Sequence, residues 1–244
     1  MSPTPPPSLP AQNVELQTVS RLNPGCMFIV VMGVSGTGKS TLGNALAKEL
    51  NMPYVEGDDL HPRANVEKMS AGIPLTDEDR EPWLELIRTT AEHYAVEQQV
   101  EKEGNETDTQ DENAKKVGGK GVVISCSALK KYYRDILRGR RKPASLEKSP
   151  EEQTVPSHLE PSHPDILPTY FVFINGPRKI LLDRMQKRPG HFMKASMLDS
   201  QLRTLESPED EEGVVVVELT QTTEEQVRVA KEGLSKLSGV DFRS

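Results

Sequence analysis

Gly33-Val34-Ser35-Gly36-Thr37-Gly38-Lys39-Ser40, set directly behind Met27-Phe28-Ile29-Val30-Val31-Met32, decides the fold of this chain. The first stretch is G-x-x-x-x-G-K-[ST]. The second is a short apolar run rich in β-branched residues, the pattern of a buried parallel strand. After the loop, Leu42, Ala45, Leu46 and Leu50 recur at helical spacing. Strand, glycine-rich loop and helix form the context in which this motif holds phosphate. Glycines at 33, 36 and 38 let the backbone curl so that successive N–H groups face phosphate oxygens. A helix N-terminus near Lys39 adds partial positive charge. Lys39 is expected to reach the β- and γ-phosphates, and the Ser40 hydroxyl to ligate Mg²⁺. A glycine-rich turn with a surface lysine would not need these flanks. The chain reads as a binder of a nucleoside triphosphate.

Composition narrows the class. Only 35% of the 244 residues are hydrophobic, low for a chain of this length, which predicts one compact core with solvated excursions. A formal net charge of −7 disfavours bulk binding to nucleic acid or to an anionic membrane surface. Basic residues interleaved with aromatics, as in nucleic-acid binders, are also missing. Two cysteines, Cys26 and Cys126, make no disulfide framework and suit a reducing compartment. No apolar run approaches the roughly 18–20 residues of a membrane span, and the N-terminus lacks a signal-peptide layout. A soluble, cytoplasmic protein is expected.

Residues 1–24 carry Pro3, Pro5, Pro6, Pro7 and Pro10 and read as a disordered tail, with a proline ligand for a partner domain as the alternative. Two polar insertions, at about 97–120 and 141–168, read as surface loops outside the core. Between them strands and helices alternate within a domain spanning 25–240. Val122-Val123-Ile124, Tyr170-Phe171-Val172-Phe173-Ile174 and Val214-Val215-Val216-Val217 read as strands, and 52–55 as a brief one. Helices are expected over about 128–138, 177–188 and 223–237, the last with Val227, Ala230, Leu234 and Leu237 on one face. This alternation predicts a five-stranded parallel sheet covered on both faces, a three-layer α/β domain.

Glu56-Gly57-Asp58-Asp59-Leu60-His61-Pro62 follows the brief strand, where an open parallel sheet gathers its ligands. Acidic groups there suit the base or metal-water ligand that phosphoryl transfer needs; helix capping by Asp58 or Asp59 is the structural alternative. No second histidine at ligand spacing supports metal binding by His61, so a hydrogen bond to substrate is the better reading. Thr76 reads as an N-cap with Asp79 as its box partner. Arg80 is a candidate for a bidentate carboxylate contact, set against a solvated helix charge. Ser125-Cys126-Ser127-Ala128-Leu129-Lys130 opens another helix behind a strand. Arg184 and Arg188, one helical turn apart and followed by Pro189-Gly190-His191, suit a closing lid over a triphosphate.

Together these motifs resemble the gluconokinase family of small P-loop kinases. The shared text is Gly33 through Thr41, Glu56-Gly57-Asp58 with His61-Pro62 and Asn65, Lys68-Met69 to Gly72, and Pro74 to Asp77. It continues with Asp79-Arg80, Pro82-Trp83-Leu84, Cys126 to Lys130, Tyr133-Arg134-Asp135, Arg188 with His191-Phe192-Met193, Ser200-Gln201 and Leu205-Glu206. The resemblance implies the nucleoside-monophosphate/shikimate kinase type of P-loop fold, with a substrate-binding helical region and a lid. It implies transfer of the γ-phosphate of ATP, with Mg²⁺, to the 6-hydroxyl of D-gluconate, giving 6-phosphogluconate for the pentose phosphate pathway. A homodimer is the family tendency. Residue by residue, it implies that the loop from Gly33 to Thr41, with Val34, Ser35 and Thr37 between its glycines, holds ATP together with Arg184. Catalysis falls to Lys39, Asp58 and Arg188, and Mg²⁺ to Ser40. The sugar acid falls to Asp58, His61, Arg80, Lys130, Arg134 and His191. A kinase for a shikimate-like acid and a non-catalytic nucleotide-binding regulator are the rival readings.

Overall fold

The computed structural model describes residues 26–105, 120–142, 167–187 and 195–242. The tail at 1–24, most of the 97–120 and 141–168 insertions, and Arg188 and His191 lie outside those residues. In chain order the elements are β1 (Cys26–Met32), α1 (Lys39–Leu50), β2 (Tyr54–Glu56), a 3₁₀ turn (Gly57–Leu60) and α2 (Arg63–Ser70). They continue with α3 (Asp77–Asn105), β3 (Lys120–Cys126), α4 (Lys131–Leu137) and β4 (Thr169–Asn175). The last four are α5 (Arg178–Lys187), α6 (Ala195–Thr204), β5 (Val214–Glu218) and α7 (Thr223–Ser238). As expected, five strands form one parallel sheet, in the order β2-β3-β1-β4-β5.

β1 is central and every one of its residues is buried. Its side chains alternate between two cores, as strand geometry requires. Met27, Ile29 and Val31 face a core closed by Leu42, Leu46 and Leu50 of α1 and by Ala230 and Leu234 of α7. Phe28, Val30 and Met32 face a second core closed by Trp83, Leu84 and Ile87 of α3 and by Tyr133, Ile136 and Leu137 of α4. The chain leaves β1 between β3 and β4, the point where strand order reverses, so the loop after Met32 opens into the crevice where α/β sheets bind ligands.

Local signals explain the helix starts. The Thr222 side chain accepts from Glu225 N–H at 3.2 Å while Glu225 reaches back to Thr222 N–H at 2.8 Å, a full capping box on α7. Thr76 and Asp79 form the expected reciprocal pair at the start of α3, at 2.9 and 3.2 Å. Three expectations need correction. The segment predicted as loop from 97 is helical to Asn105, because the Gln98 amide pairs with both N–H and C=O of Gly121 at 2.7 and 3.0 Å and ties α3 to β3. Leu167, inside the segment predicted to lie outside the core, is fully buried, with the adjacent Pro168 carbonyl accepting from Phe28 N–H. Leu237 is 43% exposed rather than on the packed face of α7, where Gln226 is buried instead.

One glycine fixes how the acidic turn meets the sheet. A Cβ on Gly57 would lie 2.0 Å from the Ser125 carbonyl oxygen, a rigid backbone atom of β3. Gly57→Ala is therefore predicted to lower stability by about 1–3 kcal/mol, the usual cost of overpacking. A denaturant midpoint equal to that of the wild type would contradict this packing.

Candidate active site

The phosphate-binding loop hangs from the carboxyl end of β1, and its fold is set by the Val34 carbonyl. That oxygen accepts from Thr37 Oγ1 at 2.8 Å, Thr37 N–H at 3.4 Å and Lys39 Nζ at 3.3 Å. Gly38 caps α1 with φ +92, a left-handed conformation that costs glycine nothing. No side chain caps that end of α1, which leaves the helix amides facing the crevice. Ser35 N–H donates to Gln201 Oε1 at 2.7 Å, so α6 is fastened to the loop. Burial pushes the Lys39 pKa down, and the nearby Asp58, Cys126 and Glu56 partly restore it.

The acidic cluster stands opposite. Asp58 and Asp59 are exposed on the 3₁₀ turn, while Glu56 at the end of β2 is half-buried. The Glu56 carboxylate accepts from Ser125 Oγ, from Tyr54 OH at 2.8 Å and from the Ser40 hydroxyl. Burial raises its pKa, but these hydrogen bonds and the charge of Lys39 outweigh burial and leave it below the usual carboxylate range. Tyr54, sharing Ser125 Oγ at 3.0 Å, is pushed up to about 12, chiefly by burial. Sequence reasoning named Glu56 only as part of a motif. Its partners come from β2, β3 and α1, and no local spacing announces them. Cys126 ends β3 fully buried, with its thiol pushed up to about 12, and is inert.

Beyond Asp58 the turn delivers His61, whose ring stacks on Trp83 with centroids 3.9 Å apart. Burial lowers the His61 pKa, the nearby Asp58 charge opposes this and the Arg80 charge adds to it. Arg80 Nη1 donates to Leu75 O and, at 3.2 Å, to Thr76 O, which aims the guanidinium toward the Tyr133 ring, 5.9 Å from its centroid. Lys130 Nζ lies 2.6 Å from Asp77 Oδ2 and 5.5 Å from the same ring. Hydrogen bonds from Lys130 and Tyr133 hold the Asp77 carboxyl below its usual range. Asp58 is near enough to act electrostatically on both Lys39 and His61, Arg80 acts on His61, and Arg80 and Lys130 both lie over the Tyr133 ring.

Arg134 does not join these groups. It is 0% exposed, on the inner face of α4, and all five N–H donors of its guanidinium are used by protein acceptors. Nη1 bonds Ala128 O at 2.8 Å and Leu129 O at 3.1 Å, Nη2 bonds Glu206 O at 3.1 Å, and Nε and Nη2 share the Glu211 carboxylate. The expectation that Arg134 binds substrate is corrected: nothing of it faces a ligand. Arg184 is exposed on α5 and donates to Leu219 O at 2.9 Å, beside the turn after β5. Among the described residues no group of three or more His, Cys, Asp or Glu gathers as a metal cage, and no helix is long and apolar enough to cross a membrane.

Removing one partner of a buried ion pair costs about 3–5 kcal/mol. Arg134→Met is therefore predicted to lower the thermal midpoint sharply while the nucleotide affinity of the folded fraction stays within about twofold. A stable variant with weakened ligand binding would restore Arg134 to the site.

Comparison with known proteins gives the family. A family model described as an AAA domain matches residues 29–205. A gluconokinase of Gluconobacter oxydans is 44% identical over 190 residues, covering 78% of this chain and 81% of the relative. A probable gluconokinase of Schizosaccharomyces pombe is 38% identical, covering 82% and 86%. The crystal structure of a gluconokinase from Sinorhizobium meliloti superposes with a TM-score of 0.59 at 40% identity, covering 88% of this chain and 94% of that one. With a phosphate loop behind its central strand and such relatives over most of its length, the chain belongs to the gluconokinase family of P-loop kinases.

Proposed function

We propose that this protein transfers the γ-phosphate of ATP to the 6-hydroxyl of D-gluconate, giving 6-phospho-D-gluconate and ADP. The observation that carries this reading is the phosphate loop at the strand-order reversal after β1, with Asp58 near enough to act on Lys39 and on His61, and Arg80 on His61. The loop suits a polyphosphate, and the groups beyond Asp58 suit a small anion bearing hydroxyls.

The roles follow from position. The amides of Gly33 to Thr41 and the Lys39 ammonium hold the phosphates. Burial of Lys39 strengthens its attraction for them, because the surrounding medium screens less. Asp58, exposed on its turn, accepts the proton of the 6-hydroxyl as the O6–P bond forms. The bond from phosphorus to the β,γ-bridging oxygen breaks, and ADP leaves with that electron pair. Arg80 and Lys130 take the carboxylate at the far end, with Asp77 holding Lys130 in place until substrate arrives. His61 bonds a substrate oxygen. Arg184 and Arg188 serve as lid cations, with His191 on the substrate side; lid closure keeps water from competing as acceptor. The oxygen donors around Ser40, its own hydroxyl and the Glu56 carboxylate bonded to it, fit a hard cation. Mg²⁺ held at Ser40 would offset charge on the phosphate oxygens. Two buried, unpaired thiols accord with a cytoplasmic setting.

A coupled assay for 6-phosphogluconate, run over a panel of gluconate, shikimate and glucose, tests the reading. Turnover is predicted with gluconate alone. Asp58→Asn should lower kcat by about 10²–10⁴-fold, the usual contribution of a general base, with ATP affinity retained. Lys39→Met should weaken ATP binding itself. Activity confined to shikimate would overturn the substrate, and silence across the panel with intact ATP binding would favour a regulator.

A further inference from the structure

His61 is held from two directions. Its ring lies on Trp83 with the planes 16° apart, and Trp83 is fixed by its Nε1–H on Gly57 O at 2.7 Å. From α2, the buried Asn65 brings its Nδ2 to 2.7 Å from the Asp79 carbonyl oxygen and to 3.4 Å from His61 Nδ1. A backbone carbonyl only accepts, so the short contact identifies that end of the amide as its NH₂ group. The second hydrogen of the same NH₂ is the one available to the imidazole. An NH₂ group cannot accept, so Nδ1 carries the lone pair and the proton of the neutral ring sits on Nε2. Nε2 itself has no protein partner among the described residues.

The charges around the ring agree. Burial holds the His61 pKa below its ordinary value; Asp58 from the 3₁₀ turn works against this and Arg80 from α3 with it. Behind Asn65, the Asp79 carboxylate is engaged by Lys68 at 2.6 Å and by Thr76 N–H at 2.9 Å. A second proton would set Nδ1–H against the Asn65 NH₂, two donors with no acceptor between them.

We propose that Asn65 is a positioning residue that fixes His61 as its Nε2–H tautomer, so that the ring meets the sugar acid only as a hydrogen-bond donor to a hydroxyl or carboxylate oxygen. The identity of that ligand rests on the gluconate reading; the tautomer does not. His61 is half-buried, and a substrate oxygen at the matching carbon takes the place of water on Nε2–H; a substrate lacking that oxygen forfeits the hydrogen bond.

The test is a long-range ¹H–¹⁵N correlation spectrum of protein labelled at histidine nitrogen, at neutral pH and without ligand. His61 is assigned by its loss in His61→Gln. The expected wild-type pattern is pyridine-type Nδ1 with pyrrole-type Nε2. Asn65→Asp offers an acceptor in place of the donor and should exchange the two. The same variant should raise KM for gluconate about tenfold, the loss of one hydrogen bond to a polar ligand, with KM for ATP unchanged. His61→Gln, whose amide NH₂ reaches the Nε2 place, should retain more affinity than His61→Asn. A pyrrole-type Nδ1 in the wild type would overturn the proposal, as would equal gluconate KM in wild type and Asn65→Asp. If Asn65→Asp fails to fold, the wild-type spectrum and the Gln–Asn comparison at 61 decide it. A wild type inert toward gluconate would instead overturn the substrate, since the tautomer is read without one.

Discussion

The candidate site is arranged around a strand whose every side chain is buried. β1 is hydrogen-bonded to β3 on one side and β4 on the other, and both faces are covered by helices. Its side chains contribute hydrophobic burial alone, about 1.5–3 kcal/mol for each large residue. The backbone amides of the loop behind it are its one outlet to ligand. Because the strand order reverses at β1, that outlet opens into a crevice instead of onto a helix. Asp58 and His61 follow the carboxyl end of β2, Lys130 follows that of β3, and Arg80 comes from the first turn of α3.

The rim of this crevice is assembled by close approach. Gly57 lies so near the Ser125 carbonyl that no side chain fits between them, and this draws the acidic turn against β3. Ser125 then binds Glu56 and Tyr54, Trp83 binds Gly57 O, and His61 stacks on Trp83. A similar linkage runs through α6. Gln201 bonds the loop at Ser35, and five residues on, just past the helix end, Glu206 bonds Leu129 O through its N–H and Lys131 N–H through its carboxylate. The helix and its end therefore touch the nucleotide side and the start of α4 at once. Arg178 and Asp199 tie it to α5 at 2.5 Å.

What was legible in the sequence was whatever local pattern encodes. The β-branched run of β1, the loop glycines, the Thr76–Asp79 pair and the apolar spacing of α1 each state their own structure within a few residues, and each appears as read. Arg134 and Arg80 look alike as letters near helix starts. Only the fold places Glu211 and three carbonyls around the first and leaves the second over the Tyr133 ring. The extension of α3 to Asn105 was hidden because its residues are polar. Its anchor, the Gln98–Gly121 pair, joins elements separated by a segment of no regular pattern. The role of Glu56 is hidden in the same way: beside Tyr54 of its own strand, its lowering partners Ser125, Ser40 and Lys39 come from β3 and α1.

The central claim is that the phosphoryl acceptor sits between Asp58 and the phosphate loop with its carboxylate toward Arg80. A crystal structure of the complex with a non-hydrolysable ATP analogue, Mg²⁺ and D-gluconate tests it most directly. The account predicts the 6-hydroxyl within hydrogen-bond reach of the Asp58 carboxylate, in line with the γ-phosphate, and the C1 carboxylate on Arg80. A sugar acid bound in the reverse direction, or outside the cleft between the 3₁₀ turn, α3 and α4, would contradict it.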